Sequence, residues 1–80
     1  MGIYDFVVMR IRELCKERGI TPNGLSYRCG ISQSTIKSIL GGESKNPVIV
    51  TLKKICDGLD ISIVEFFDTD EFCKLEQEIK

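Results

Sequence analysis

The stretch Thr21–Leu40, TPNGLSYRCGISQSTIKSIL, decides how this chain folds. Thr21-Pro22 pairs an N-cap residue with a proline at the first helical position, where the missing N–H costs nothing. Leu25 and Cys29 follow four residues apart, one above the other on a helix. Gly24 inside that helix costs about 1 kcal/mol relative to alanine, so tertiary packing of Leu25 and Cys29 must hold it. Gly30-Ile31-Ser32 then reads as a three-residue turn. Gly30 supplies the left-handed backbone the turn demands, and Ser32 caps a second helix from Gln33 to about Leu40. The inward stripe of that helix is Ile36, Ile39 and Leu40. Ser26 is small enough to let the two helices approach, and Ile31 and Ile36 fill their joint. Helix, glycine turn and helix fit within 20 residues.

Working outward, residues 5–18 carry Val7, Val8, Ile11, Leu14 and Cys15, the apolar stripe of an amphipathic helix. Asp5 is placed to cap it, and Arg18 with Gly19 gives a basic last turn and a stop. Downstream, Gly41-Gly42 ends the 33–40 helix, and a polar loop, Glu43-Ser44-Lys45-Asn46, leads to Pro47. Ile49, Leu52, Ile55, Cys56 and Leu59 again recur at helical spacing. Ser62 and Glu65 form the Ser-x-x-Glu capping-box pair that opens a short helix with Val64, Phe66 and Phe67. Val48-Ile49-Val50 is locally β-branched, but no segment sustains strand-type alternation. The expected architecture is all-α, five short helices with tight connections. In the tail, residues 68–80, Thr69 can cap a sixth helix with Phe72, Leu75 and Ile79 along one side. Three apolar residues do not sustain an isolated helix, so the tail folds back on the domain or packs against a second copy.

Composition narrows the function classes. The chain has 80 residues, 11 Lys plus Arg against 12 Asp plus Glu, 42% hydrophobic and 29% charged residues. That is one globular domain, residues 1–67 with the tail 68–80, and it leaves no room for a large cofactor cleft. The longest apolar run, Phe6-Val7-Val8-Met9, is far shorter than the roughly 20 residues of a membrane span. No basic start leads into an apolar stretch, so a soluble cytoplasmic protein is expected. Cys15, Cys29, Cys56 and Cys73 contain no Cys-x-x-Cys pair, and the chain has no histidine. Zinc sites present ligands in close pairs, so neither a metal nor a cofactor is expected. Cys29 and Cys56 read as small buried hydrophobes. Cys73, in the tail, is the one candidate for a redox-sensing thiol. With no histidine, no phosphate-binding glycine loop and no paired carboxylates at a cleft, nothing nominates a catalytic group, and no enzyme is expected.

Residues 21–40 carry the helix-turn-helix pattern, whose second helix enters the DNA major groove. The start of the first of these helices, near Asn23, offers free N–H groups to an anion. Beyond the pattern, the sequence ITPNGLSYRCGISQSTIKSILGGESKNP, followed by TLKKICDGLDISIVEFF, resembles the phage-repressor and Cro family, also called the XRE-type helix-turn-helix. Members commonly read T-Q-E-E-L-A-E-K-A-G-I-S-x-S-T-I-S-x-I-E-x-G, then K-x-P, then T-L-x-K-I-A-x-A-L-x-V-S-x-x-E-L-F. The likeness runs from Leu14 to Phe67 and takes in all five helices.

The resemblance implies a lambda-repressor-like fold that binds double-stranded DNA and regulates transcription, with repression the expected mode. It assigns base contacts to Gln33, Ser34 and Thr35, with Lys37 and Ser38 one turn later. Glutamine pairs bidentately with adenine, and hydroxyls serve several bases. It also matches Ser44, Lys45 and Asn46 to the family's phosphate-contacting segment. Three positions depart from the pattern. Pro22 stands where the family often has a phosphate-holding glutamine, which moves that contact to Asn23 or loses it. Cys15 and Leu40 replace an arginine–glutamate pair, a joint change that strands no buried charge. Gly24 stands where glutamate is usual.

Charge is split along the chain. Residues 1–47 hold seven basic groups (Arg10, Arg12, Lys16, Arg18, Arg28, Lys37, Lys45) against four acidic, a net of +3, and residues 48–80 hold four against eight, a net of −4. The helix-turn-helix therefore lies in the positive half. Because +3 is a thin electrostatic footprint, a homodimer on a pseudo-palindromic operator is expected, with Phe66, Phe67, Phe72, Leu75 and Ile79 as the candidate interface. Two alternatives stay open. One is a protein-interaction module that kept the fold without DNA binding. The other is an antitoxin-like chain that binds both DNA and a second protein.

Overall fold

The computed structural model describes residues 1–79, and among them the chain forms six helices and no strand. The first, α1, spans Ile3–Arg18 and ends at Gly19, which takes the left-handed conformation at φ 63°. It begins two residues before the expected start. Gly2 is its N-cap, and Asp5 is not a cap but an exposed residue of the first turn, where its carboxylate faces the positive end of the helix dipole. The reason is apolar: Ile3 packs on the core, and Phe6, one turn on, is fully buried. Phe6 is the aromatic centre of the fold, with its ring 5.9 Å from Phe67 and 6.4 Å edge-on from Phe66. Val8, counted in the stripe by spacing, is only half-buried.

Helices α2 (Pro22–Cys29) and α3 (Gln33–Gly41) are joined by Gly30 at φ 67°, as the turn chemistry requires. Ser26 is buried and its hydroxyl donates to the Asn23 carbonyl at 2.7 Å, which satisfies it where the helices meet. Leu25, Cys29, Ile36 and Ile39 all enter one core with Ile11, Leu14 and Cys15 of α1.

Helix α4 (Ile49–Gly58) packs against α2. Its inward stripe is Leu52, Ile55 and Cys56, continued by Leu59, and Ile49 does not belong to it. Val48, Ile49 and Val50 stay 63%, 62% and 61% exposed, because the first turn of α4 protrudes from the core. At the other end the helices nearly touch. A Cβ on Gly58 would stand 2.5 Å from the Cys29 sulfur, so only glycine fits. Arg28 closes the same junction by donating from Nε to the Gly58 carbonyl at 2.9 Å.

Helix α5 (Ile63–Phe67) opens with the full capping box: Ser62 accepts from Glu65 N–H, and Glu65 accepts from Ser62 N–H. Phe66 is fully buried, whereas Val64 is 73% exposed. Arg10 reaches across to the end of α5, donating from Nε to the Phe66 carbonyl at 2.7 Å and from Nη2 to the Glu65 carbonyl at 3.0 Å. The last carbonyls of so short a helix lack helical partners; the Glu65 carbonyl also accepts from the Asp68 N–H at 3.4 Å, and Arg10 serves both.

The sixth helix, α6 (Asp70–Cys73), is capped by Thr69 as expected but lasts one turn. The expected apolar side of Phe72, Leu75 and Ile79 is not a helix face. Phe72 packs 5.5 Å from Phe6, Leu75 lies against the core, and Ile79 is 89% exposed. After α6 the tail runs back to the chain start, where Glu76 N–H donates to the Met1 carbonyl and Ile3 N–H donates to Glu78 Oε2 at 3.3 Å. Too few apolar side chains follow Cys73 to sustain further turns. Lys80 lies outside the described residues. Among the described residues, no helix is long and apolar enough to cross a membrane.

Candidate nucleic-acid interface

Helix α3 presents its first turn to solvent. Ser32 accepts from Thr35 N–H at 3.2 Å, and its hydroxyl also meets those of Ser34 at 3.2 Å and Thr35 at 2.9 Å. Ser34 and Thr35 are exposed but share their hydroxyls with the cap. Gln33 and Lys37 are exposed, while Ser38 is half-buried. Of the five expected base-contacting residues, Gln33 and Lys37 therefore project most freely.

The C-terminal end of α3 is held by three backbone donors. Gly42, Glu43 and Ser44 N–H all converge on the Ser38 carbonyl. Gly42 makes this wrap feasible, since it adopts φ 88°. The loop is thereby wound onto the helix, leaving Ser44 half-buried and Lys45 and Asn46 exposed. Tyr4 of α1 fixes the same helix end through its hydroxyl, which donates to the Ile39 carbonyl.

At the start of α2, Pro22 has no N–H and Gly24 N–H is taken by Thr21 Oγ1 at 3.1 Å, so the helix end offers the N–H of exposed Asn23. Beside it an open depression of about 360 Å³ is bordered by Arg12, Asn23, Lys37 and Leu40. Arg12 donates to the Leu40 carbonyl at 3.3 Å. It thus stands where α1, α2 and α3 meet, next to the two positions whose arginine–glutamate pair is missing here. Cys15 and Leu40 instead line an apolar dent beneath it. In the sequence Arg12 is one of seven positive charges in residues 1–47. Nothing local distinguishes it, because its partner is 28 residues away.

The structure also thins the positive half further. Arg10 is spent on the end of α5 and Arg28 on Gly58. Arg18 lies 3.9 Å from Glu17. Within residues 1–47, Lys16, Lys37 and Lys45 are exposed without such a contact, and Arg12 is exposed while donating to the Leu40 carbonyl.

Of the expected dimer residues, Phe67 and Phe72 lie together at the α5–α6 end, their rings 5.1 Å apart. Phe66 is fully buried and presents no area to a second copy. Phe67 and Leu75 pack on the core of their own protomer, and Phe72 and Ile79 are the exposed members. Cys15, Cys29 and Cys56 are buried and Cys73 is exposed. Burial raises the thiols of Cys15 and Cys56, and it pushes Cys29, with the Cys15 thiol adding to it, up to about 11.

Residues 10–71 match the family of the Cro/C1-type HTH DNA-binding domain. The chain is 33% identical over 60 residues to the HTH-type transcriptional regulator SlrR of Bacillus subtilis, covering 75% of this chain and 40% of that protein. It is 32% identical over 72 residues to the uncharacterized HTH-type transcriptional regulator y4dJ of Sinorhizobium fredii, covering 89% of this chain and 92% of that one. The chain thus spans less than half of the first relative and nearly all of the second. Among solved structures it is similar to the crystal structure of the prophage Lp1 protein 11, with a TM-score of 0.80 and 33% identity over 94% of this chain and 100% of that one.

Proposed function

The chain belongs to the Cro/C1-type helix-turn-helix family of DNA-binding transcriptional regulators, and from that premise we propose that it is a repressor that reads an operator with α3. The DNA-binding unit is residues 1–67, with the helix-turn-helix at 21–40, and it works in the cytoplasm. Gln33 and Lys37 read bases, with Ser34, Thr35 and Ser38 making shorter contacts from the same face. Asn23, Ser44, Lys45 and Asn46 hold the phosphates on either side, and Arg12 joins them at the α2 end. The observation that carries this reading is the exposed first turn of α3, with Asn23 and Arg12 lining a depression shared with Lys37 and Leu40 of that helix, and Lys45 exposed in the loop that follows it. A domain seated on an operator represses by occupying it.

So few free cations on the helix-turn-helix half give a weak monomer, so two copies share a pseudo-palindromic site. Val48, Ile49 and Val50 are better suited to that contact than the expected aromatic residues. They are exposed, directly follow the phosphate loop, and have uncharged neighbours in Asn46, Pro47 and Thr51.

Selection of tight binders from random duplexes, followed by anisotropy titration at two salt concentrations, tests the proposal. It expects an enriched site with two related halves, bound more tightly than the unselected pool. No enrichment, with equal affinity for all duplexes, would reject sequence-specific repression. Sedimentation with Ile49→Glu tests the dimer, which that substitution should dissociate.

A further inference from the structure

On the acidic half of the molecule, α5 and α6 enclose an open groove of about 420 Å³. Its apolar walls are Ile63, Val64, Phe67 and Phe72, with Asp68 and Cys73 at the rim. Val64 is 73% exposed and Phe72 38% exposed, so the groove offers real contact area. Its floor is firm, because the rings of Phe67 and Phe72 lie 5.1 Å apart and both rest on Phe6.

The surrounding charge decides what can sit there. Between Leu59 and Ile79 the chain carries Asp60, Glu65, Asp68, Asp70, Glu71, Glu76 and Glu78 against Lys74 alone. Asp68, Asp70 and Glu71 are exposed beside the groove. A second copy of this chain would meet the groove with the same patch, setting each of these carboxylates against its like. DNA is excluded by the same sign. A complementary occupant carries aliphatic side chains at helical spacing, with lysine or arginine on the flanks.

We propose that the α5–α6 groove docks a basic amphipathic helix of a partner protein. None of its lining residues belongs to α2, α3 or the 43–47 loop, so the partner binds while the recognition helix stays free. The proposal goes beyond the DNA reading and stands whether or not that reading holds.

The test uses the full chain and two designed helical peptides of about four turns, identical in their leucine pattern, one with lysine and one with glutamate elsewhere. Titration is followed by amide and side-chain NMR shifts and by the rate at which maleimide labels Cys73. The leucine–lysine peptide should shift Ile63, Val64, Phe67, Asp68 and Phe72, slow the labelling, and bind more weakly as salt rises. Val64→Glu, and separately Asp68→Lys with Glu71→Lys, should each weaken binding by about tenfold or more. Both sites are exposed, and a thermal melt confirms that each variant folds. Val64→Glu should leave the salt slope of DNA binding unchanged. Equal binding of the two peptides, shifts spread over the whole surface, or variants that bind as well as the parent would overturn the proposal. So would self-association abolished by Val64→Glu, which would assign the groove to a second copy.

Discussion

The hydroxyl of Tyr4, in the first turn of α1, donates to the main-chain carbonyl of Ile39, 35 residues away near the end of α3, at 2.5 Å. The recognition helix is therefore braced against the chain start as well as against α2. Tyr4→Phe removes this donor and keeps the ring. It should cost about 0.5–1.5 kcal/mol of stability, read as a lowered urea midpoint at unchanged slope. An unaltered midpoint would show that the bond contributes nothing.

Gly58 and Cys29 form a matched pair. The family pattern has alanine at both positions, whereas here the larger side chain sits on α2 and none sits on α4. Gly58→Ala alone should destabilise by about 1–3 kcal/mol through overpacking. Adding Cys29→Ala removes the sulfur but not the Arg28 and Cys29 backbone atoms 3.1 Å away, so it should recover part of that loss, a coupling that a double-mutant cycle measures directly. Additive losses would mean that the 2.5 Å approach is relieved some other way.

Arg10 and Arg12 stand two residues apart on α1 and should separate cleanly. Arg10→Met leaves the Phe66 carbonyl without its donor and the Glu65 carbonyl with the Asp68 N–H alone, and should cost about 1–3 kcal/mol, with the salt dependence of DNA binding unchanged. Arg12→Ala should leave stability nearly intact and lower the salt slope by about one. If Arg10→Met changed the slope instead, its side chain would be a DNA contact and not a brace.

Three buried thiols make stability fall in alkali. Burial, the first cause, raises all three above the ordinary value near 9, Cys29 to about 11. The folded state therefore holds these protons more tightly than the unfolded state. Their contribution is full below pH 9 and is lost as the pH rises through 9 to 11. Urea midpoints across that range should decline less steeply in Cys29→Ala than in the parent. Parallel declines would remove Cys29 from the account.

Local chemistry was legible in the sequence wherever one residue satisfies a neighbour within a single turn. Thr21, Ser32, Ser62 with Glu65, and Thr69 all cap as their spacing indicates, and Gly19, Gly30 and Gly42 take the left-handed turns. Contacts across the fold left no such mark. Arg10 binds carbonyls more than 50 residues away, Arg12 reaches α3, and Phe6 sits one position before the stripe that periodicity picked out. Exposure misled at Ile49 and Phe66, because helical spacing says which side a residue faces but not whether anything covers it. For the interface, the resemblance supplied candidate residues. The structure distinguished the freely projecting Gln33 and Lys37 from the cap-bound Ser34 and Thr35.

The most direct test of the central claim compares Gln33→Ala and Lys45→Ala with the parent on a selected operator and on a scrambled duplex, across a series of salt concentrations. The account predicts that Gln33→Ala loses about 1–3 kcal/mol of preference for the operator while keeping its salt slope. Lys45→Ala should weaken both duplexes alike and lower the slope by about one. If Gln33→Ala discriminates as well as the parent, α3 does not read the sequence, and the central claim is contradicted.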